Sequence, residues 1–179
     1  MSWEALKLAW REDKDDFRRY TVLGAFDGLI VGLSLVITLG VIGNPDIVFH
    51  SALSGIAGVS AASFWNTIVA ESREKELELK GLERHMLRPL KGTIYERAAR
   101  YTVWISALIH ALSPLIGLSV VFVYLLTQNL VYSAVTGLAA VASLGFMYEG
   151  EVKERLKSIA IMVGAGVITA VLAYFLRPP

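Results

Sequence analysis

Cysteine is absent from this 179-residue sequence. That excludes disulfides, thiolate metal ligands and cysteine nucleophiles, and says little about the redox compartment. Charge is scarce as well. Only 18% of residues are charged, against 55% hydrophobic, and the mean hydropathy is +0.55. Such a balance points to a membrane protein rather than an ordinary soluble domain. The net charge of +1 is uninformative as a sum, so its distribution along the chain matters more. Motifs of catalysis are missing too: there is no G-x-x-x-x-G-K-[ST], H-E-x-x-H or G-x-S-x-G. His50, His85 and His110 are widely separated, which argues against a closed zinc site. Basic residues flank apolar runs and carry no nucleic-acid signature, and the chain reads as no enzyme.

The segment that organises the rest is Thr21 to Ile42, an apolar run interrupted by one carboxylate, Asp27. It is long enough to cross a bilayer, which takes about 20 residues for a 30 Å hydrocarbon core. A carboxylate at that depth is costly and marks a functional site by default; the plainer reading is a buried polar spot in an inert bundle. Asp27, Val31, Ser34 and Thr38 follow helical spacing and draw a mostly polar stripe down one face. Gly24, Gly28 and Gly32 repeat every four residues, a seam that lets another helix approach to backbone contact.

Upstream, residues 1–20 read as an amphipathic interfacial helix. Trp3, Leu6, Trp10 and Phe17 recur at helical spacing, with Lys7, Arg11, Lys14, Arg18 and Arg19 on other faces. No signal peptide of the usual kind is expected, because charge persists through Arg19 before any apolar run. Downstream, Gly43-Asn44-Pro45-Asp46 makes a turn. A second span over 47–70 is rich in small residues and carries Asn66 and Thr67 near its far end. The helix then continues into water with no breaker until Gly81 or Pro89. On this extension, Glu71, Glu74 and Glu78 share a face that His85 prolongs. A solvated helix laced with pairs such as Glu71 with Lys75 and Glu76 with Lys80 explains most of these charges equally well.

A third span over 99–126 contains His110 and, four residues later, Pro114, which predicts a kink and a freed carbonyl at residue 110. His110 can relay protons or bind metal, or simply satisfy its ring nitrogens against a neighbouring helix. Spans over 130–148 and 158–176 complete the chain. The expected fold is all-α, with five transmembrane helices and a cytoplasmic segment at 71–98. Lysine and arginine number 5 in the N-terminal arm, 8 after span two and 3 before span five, against Arg177 alone on the other side. By the positive-inside rule the N-terminus is cytoplasmic, the C-terminus outside, and the protein multi-pass in the cell membrane.

Oxygen donors lie along one route. Glu71, Glu74 and Glu78, with Glu149 and Glu151, sit at the cytoplasmic mouth, then Asn66 and Thr67, Asp27 within, Ser34 and Thr38 beyond, and Asp46 and His50 at the outer exit. Oxygen donors suit hard or borderline cations such as Mn²⁺ and Fe²⁺. A carboxylate in a poorly hydrated site can also trade a proton for a metal ion.

Val22 to Ile30, V-L-G-A-F-D-G-L-I, resembles the first-helix signature of the vacuolar iron transporter family. Ser113 to Gly117, S-P-L-I-G, is similar to a proline-containing stretch of that family, and the five spans and Glu-rich second helix agree with it. The resemblance implies a dimeric, proton-coupled exporter of Fe²⁺ or Mn²⁺ with the pathway between subunits. It implies Asp27 as metal ligand and proton acceptor, and Gly24, Gly28 and Gly32 as the dimer contact. Fe²⁺ or Mn²⁺ is then substrate, with no cofactor. The sequence departs from the family where Ser-Met and Gly-Glu-Tyr are usual in the second helix. Here Phe64 and Trp65 follow Ser63, and Asn66 and Glu71 are the nearest replacements for the lost donors. The cytoplasmic insert between spans two and three is also short. Together these features set the expected metal-handling residues as Asp27, Glu71, Glu74 and Glu78, and the expected path as Ser34, Thr38, Asn66 and Thr67. The competing expectation is a non-transporting scaffold or regulator that holds a soluble partner on its basic cytoplasmic face.

Overall fold

A computed structural model describes residues 3–148 and 151–178; Glu149, one of the expected mouth carboxylates, lies outside them. Among the described residues every regular element is a helix, with no strands. The elements are α1 (Trp3–Glu12), α2 (Lys14–Leu39), a 3₁₀ turn (Gly40–Ile42), α3 (Pro45–Met86), α4 (Ile94–Leu112), a 3₁₀ segment (Ser113–Gly117), α5 (Leu118–Thr127), α6 (Leu130–Gly145) and α7 (Val152–Phe175).

The helix at the centre is α2, which touches every other element. Its sequence explains why. Val22, Ala25, Leu29, Leu33 and Val36 are buried on several sides at once, and a helix apolar all round belongs inside a bundle. Around it pack Val48 and Ala52 of α3, Val120, Val121 and Tyr124 of α5, and Val141 and Leu144 of α6. Tyr124 Oη donates to the Gly40 carbonyl at 2.9 Å, satisfying an acceptor at the end of α2.

The N-terminal arm is two helices rather than one. α1 stops at Glu12, and α2 begins at Lys14, so Lys14, Arg18 and Arg19 belong to the same helix as Asp27. The break falls at Asp13, whose carboxylate does not cap α2 because Lys75 and Thr102 hold it. α3 is the continuous extended helix the sequence predicts. It starts at Asn44, whose side chain accepts from the Asp46 and Ile47 amides with Pro45 in the first turn. It ends at Leu87, in the left-handed region at φ 49°. At 42 residues it is about 63 Å long, roughly twice a hydrocarbon core.

Pro114 breaks span three as expected, by tightening it into the 3₁₀ segment between α4 and α5. α6 differs from the expected 130–148. Its 16 residues rise about 24 Å, and it gives way to a turn at Phe146. Four helical stretches, 14–42, 45–86, 94–127 and 152–175, are long and apolar enough to cross a membrane, while α6 is shorter.

The glycine seam has a different partner from the one expected. Gly24, Gly28 and Gly32 are buried against His110, Pro114 and Gly117 of the same chain. A Cβ on Gly28 would stand 2.0 Å from the Pro114 carbonyl oxygen, and one on Gly117 would stand 2.0 Å from that of Gly28. The 3₁₀ segment is slim enough to reach α2's backbone, so this seam is filled within one chain and offers no surface to a second copy.

Candidate functional site

Two polar stripes face each other between α3 and α4. On α3, Ser60, Ser63, Thr67, Glu71 and Lys75 recur every three or four residues; on α4, Thr102, Ser106 and His110 do the same, and Ser113 continues the series at the start of the 3₁₀ segment. All but the half-buried Ser60 are buried. The helices run antiparallel, and the register is fixed at two rungs. Thr67 Oγ1 lies 2.7 Å from His110 Nδ1. Asp13 bridges the other rung, accepting from Lys75 Nζ at 2.7 Å and from the Thr102 hydroxyl.

α2 closes the seam from the side. Tyr20 Oη donates to Glu71 Oε2 at 2.8 Å, and the Tyr20 ring packs on His110 with centroids 5.2 Å apart. One turn deeper, Gly24 leaves room for the imidazole, since a Cβ there would stand 3.0 Å from His110 Cδ2. Asp27 follows on the same face of α2, half-buried and close enough to His110 for the two to interact electrostatically.

Buried polar atoms almost always have partners. Among the described residues four buried side-chain atoms have none: Ser60 Oγ, Glu71 Oε1, Ser106 Oγ and His110 Nε2. Every one lies on this seam. Glu71 is 0% exposed and His110 6%, so the bare atoms are not facing bulk water. A line of unpaired hydroxyl, carboxylate and imidazole atoms between two helices is suited to hydrogen-bond water or a passing ion.

The expected residues are thus divided. Glu71 and Thr67 lie on the seam, and Asp27 interacts with its His110. Glu74 and Glu78 do not join a metal site: Glu74 lies 3.9 Å from Arg19, and Glu78 accepts from Lys75 Nζ at 2.8 Å. Arg19 and Lys75 already supply the positive charge that a captured cation would bring. Among the described residues no group of three or more His, Asp or Glu side chains is placed to hold a metal ion. Asn66 turns outward, exposed, while its neighbour Thr67 turns in. Thr38 donates to the Ala173 carbonyl of α7 at 3.3 Å, a helix-to-helix link, and Ser34 is half-buried beside it. Asp46 and His50 are exposed, and so is His85, whose Nδ1 lies 2.8 Å from the Gly81 carbonyl oxygen of its own helix.

Sequence reasoning missed Tyr20, Ser106 and Lys75 as members of one constellation. The signal was present as periodicity: Thr102, Ser106, His110 and Ser113 repeat at the interval that keeps them on one side of a helix.

Lys75 anchors the cytoplasmic end. It is 6% exposed, held by Asp13 and Glu78, with Asp16 3.8 Å away. Burial alone would pull its ammonium down, but the hydrogen bonds it donates to Asp13 and Glu78 outweigh that and raise it above its ordinary value. Lys75→Met leaves Asp13 poorly compensated at the joint of three helices. Because Glu78 is half-exposed, the loss is expected near 2 kcal/mol, below that of a fully buried pair. Chemical denaturation in detergent checks it.

Comparison with known protein families, with curated proteins and with solved structures finds no match to this chain.

Proposed function

We propose that the protein is a secondary transporter that exports a divalent metal ion, Fe²⁺ or Mn²⁺, from the cytoplasm in exchange for protons, with Asp27 in the translocation path. The observation that carries this reading is the polar seam, with its four unpaired buried atoms and Asp27 beside His110 inside apolar helices. Inert bundles avoid such groups, whereas ion and proton routes require them. The likeness of Val22–Ile30 to the vacuolar iron transporter signature supports the choice of a divalent metal as cargo.

Asp27 supplies a carboxylate and His110 an imidazole, and the freed region around Pro114 lies against the same stretch of α2. Two protein donors are few for a resident metal, yet a transported ion must leave as readily as it enters. Protonation of Asp27 would expel the cation, and Glu71 with Tyr20 stands where protons arrive from the cytoplasmic mouth. The proposal places the N-terminus in the cytoplasm with five crossings, α6 being the shortest. Lys153, Arg155 and Lys157 before α7 then fall on the basic side. If the transporter is a homodimer, it pairs through a face other than Gly24, Gly28 and Gly32.

Ligand-linked stabilisation tests this. At free Mn²⁺ ten times its dissociation constant, a metal-binding folded state gains about 1.4 kcal/mol. Thermal unfolding of the purified protein should shift upward with Mn²⁺, and Asp27→Asn should remove the shift. A scaffold would show no carboxylate-dependent change.

A further inference from the structure

α1 sits against the bundle by a narrow contact. Ala5 and Ala9 are fully buried on Ala98 of α4, with Leu8, Ile94 and Tyr101 packed around them. The next sector round the helix carries Trp3, Leu6 and Trp10, and the sector after that Lys7 and Arg11. Trp3 and Trp10 are 65% and 60% exposed, which is costly in water and natural at a membrane surface. Between this face and α4 runs a groove of about 450 Å³ lined by Trp3, Leu6, Lys7, Trp10 and Ile105. Ile105, the residue of α4 that lines the groove, lies seven residues, about 10 Å, beyond Ala98, in the apolar part of that span.

We infer that this groove is a binding site for a single anionic phospholipid, its acyl chain lying along Trp3, Trp10 and Ile105 and its phosphate meeting Lys7 and Arg11. Three observations converge on that occupant. The lining is apolar except for Lys7, whose Nζ stands 5.5 Å from the Trp3 ring centroid at the rim. Among the described residues neither Lys7 nor Arg11 has a carboxylate partner, although Glu4 and Glu12 occupy the same helix. The groove also opens between an amphipathic helix and a membrane-spanning one, where only lipid presents a chain and a charge together. This site does not depend on what the bundle transports.

The test uses the full chain in nanodiscs, with Trp65→Phe and Trp104→Phe so that Trp3 and Trp10 alone report. Brominated phosphatidylglycerol and brominated phosphatidylcholine are introduced separately at the same low mole fraction. The brominated anionic lipid is expected to be enriched at the groove on the order of tenfold, from two cations at the surface, and to quench correspondingly more. Lys7→Gln with Arg11→Gln should erase the difference while leaving unfolding unchanged, and Ile105→Phe, which fills the groove without adding a reporter, should reduce quenching by both lipids at once. Equal quenching by the two lipids overturns the inference, as does a preference that survives the double charge removal. Competition by inorganic phosphate at millimolar concentration would also overturn it, by identifying a phosphate site with no need of the chain.

Discussion

Gly28→Ala is expected to be the most destabilising single-methyl change in this protein, costing about 3 kcal/mol or more. A Cβ there would lie 2.0, 2.5 and 2.6 Å from the carbonyl oxygen, Cα and carbonyl carbon of Pro114, all of them backbone. No side-chain rotation relieves such a clash. α2 and the 3₁₀ segment would have to part, and Gly117 stands equally close from the other side. The parting would also move His110 from Asp27, because Gly24 and Gly28 grip the residues on either side of the kink. Gly58→Ala is the matched control, since nothing lies within 4 Å of a Cβ at that position, and its effect should stay within about 0.5 kcal/mol. Unfolding in detergent or by hydrogen exchange distinguishes them. Comparable stability for the two variants would mean that α2 and the kinked segment are not in backbone contact.

Glu71→Gln should move stability and transport in opposite directions. Glu71 is fully buried just past the apolar part of α3, with Oε2 accepting from Tyr20 and Oε1 bare. Arg19 reaches only to 4.0 Å. Burial pushes the Glu71 carboxyl up, against the smaller downward pull of the Tyr20 hydrogen bond. A carboxyl raised in the folded state contributes its full stability below the unfolded value, 4.5, and loses it as pH rises through the folded value. At neutral pH the native carboxylate therefore works against folding. Glutamine keeps an acceptor for Tyr20 without the charge, so the variant should gain on the wild type as pH rises from about 4 through neutrality, read as a growing difference in unfolding midpoint. Proton-driven transport should fall at least about tenfold, because an amide carries no exchangeable acid. A structural glutamate would instead destabilise on substitution, and the sign separates the two roles.

How much of this was readable from the sequence depends on the range of the interaction. The extended α3, the disruption at Pro114 and the centrality of the Asp27 helix all follow from local composition: small residues, a missing amide donor, and an apolar surface on every side. What periodicity cannot tell is which helix faces a stripe. The Gly24–Gly28–Gly32 spacing announces a close neighbour, and the neighbour turned out to be residues 113–117 rather than a second copy. Lys75 pairs with Asp13, 62 positions away, not with Glu71 one turn before it. That long-range pair converts a plausible acidic face into a cation-filled junction. Thr67 and His110 were each visible as polar residues at membrane depth, but their meeting depends on the antiparallel register of α3 and α4.

The most direct test of the central claim is Fe²⁺ and Mn²⁺ movement into proteoliposomes under an imposed pH gradient, wild type against Asp27→Asn. The account predicts gradient-driven uptake by the wild type that this one substitution abolishes, with the variant still folded. Uptake unchanged by the substitution, or none by a folded wild type with either ion, would contradict it.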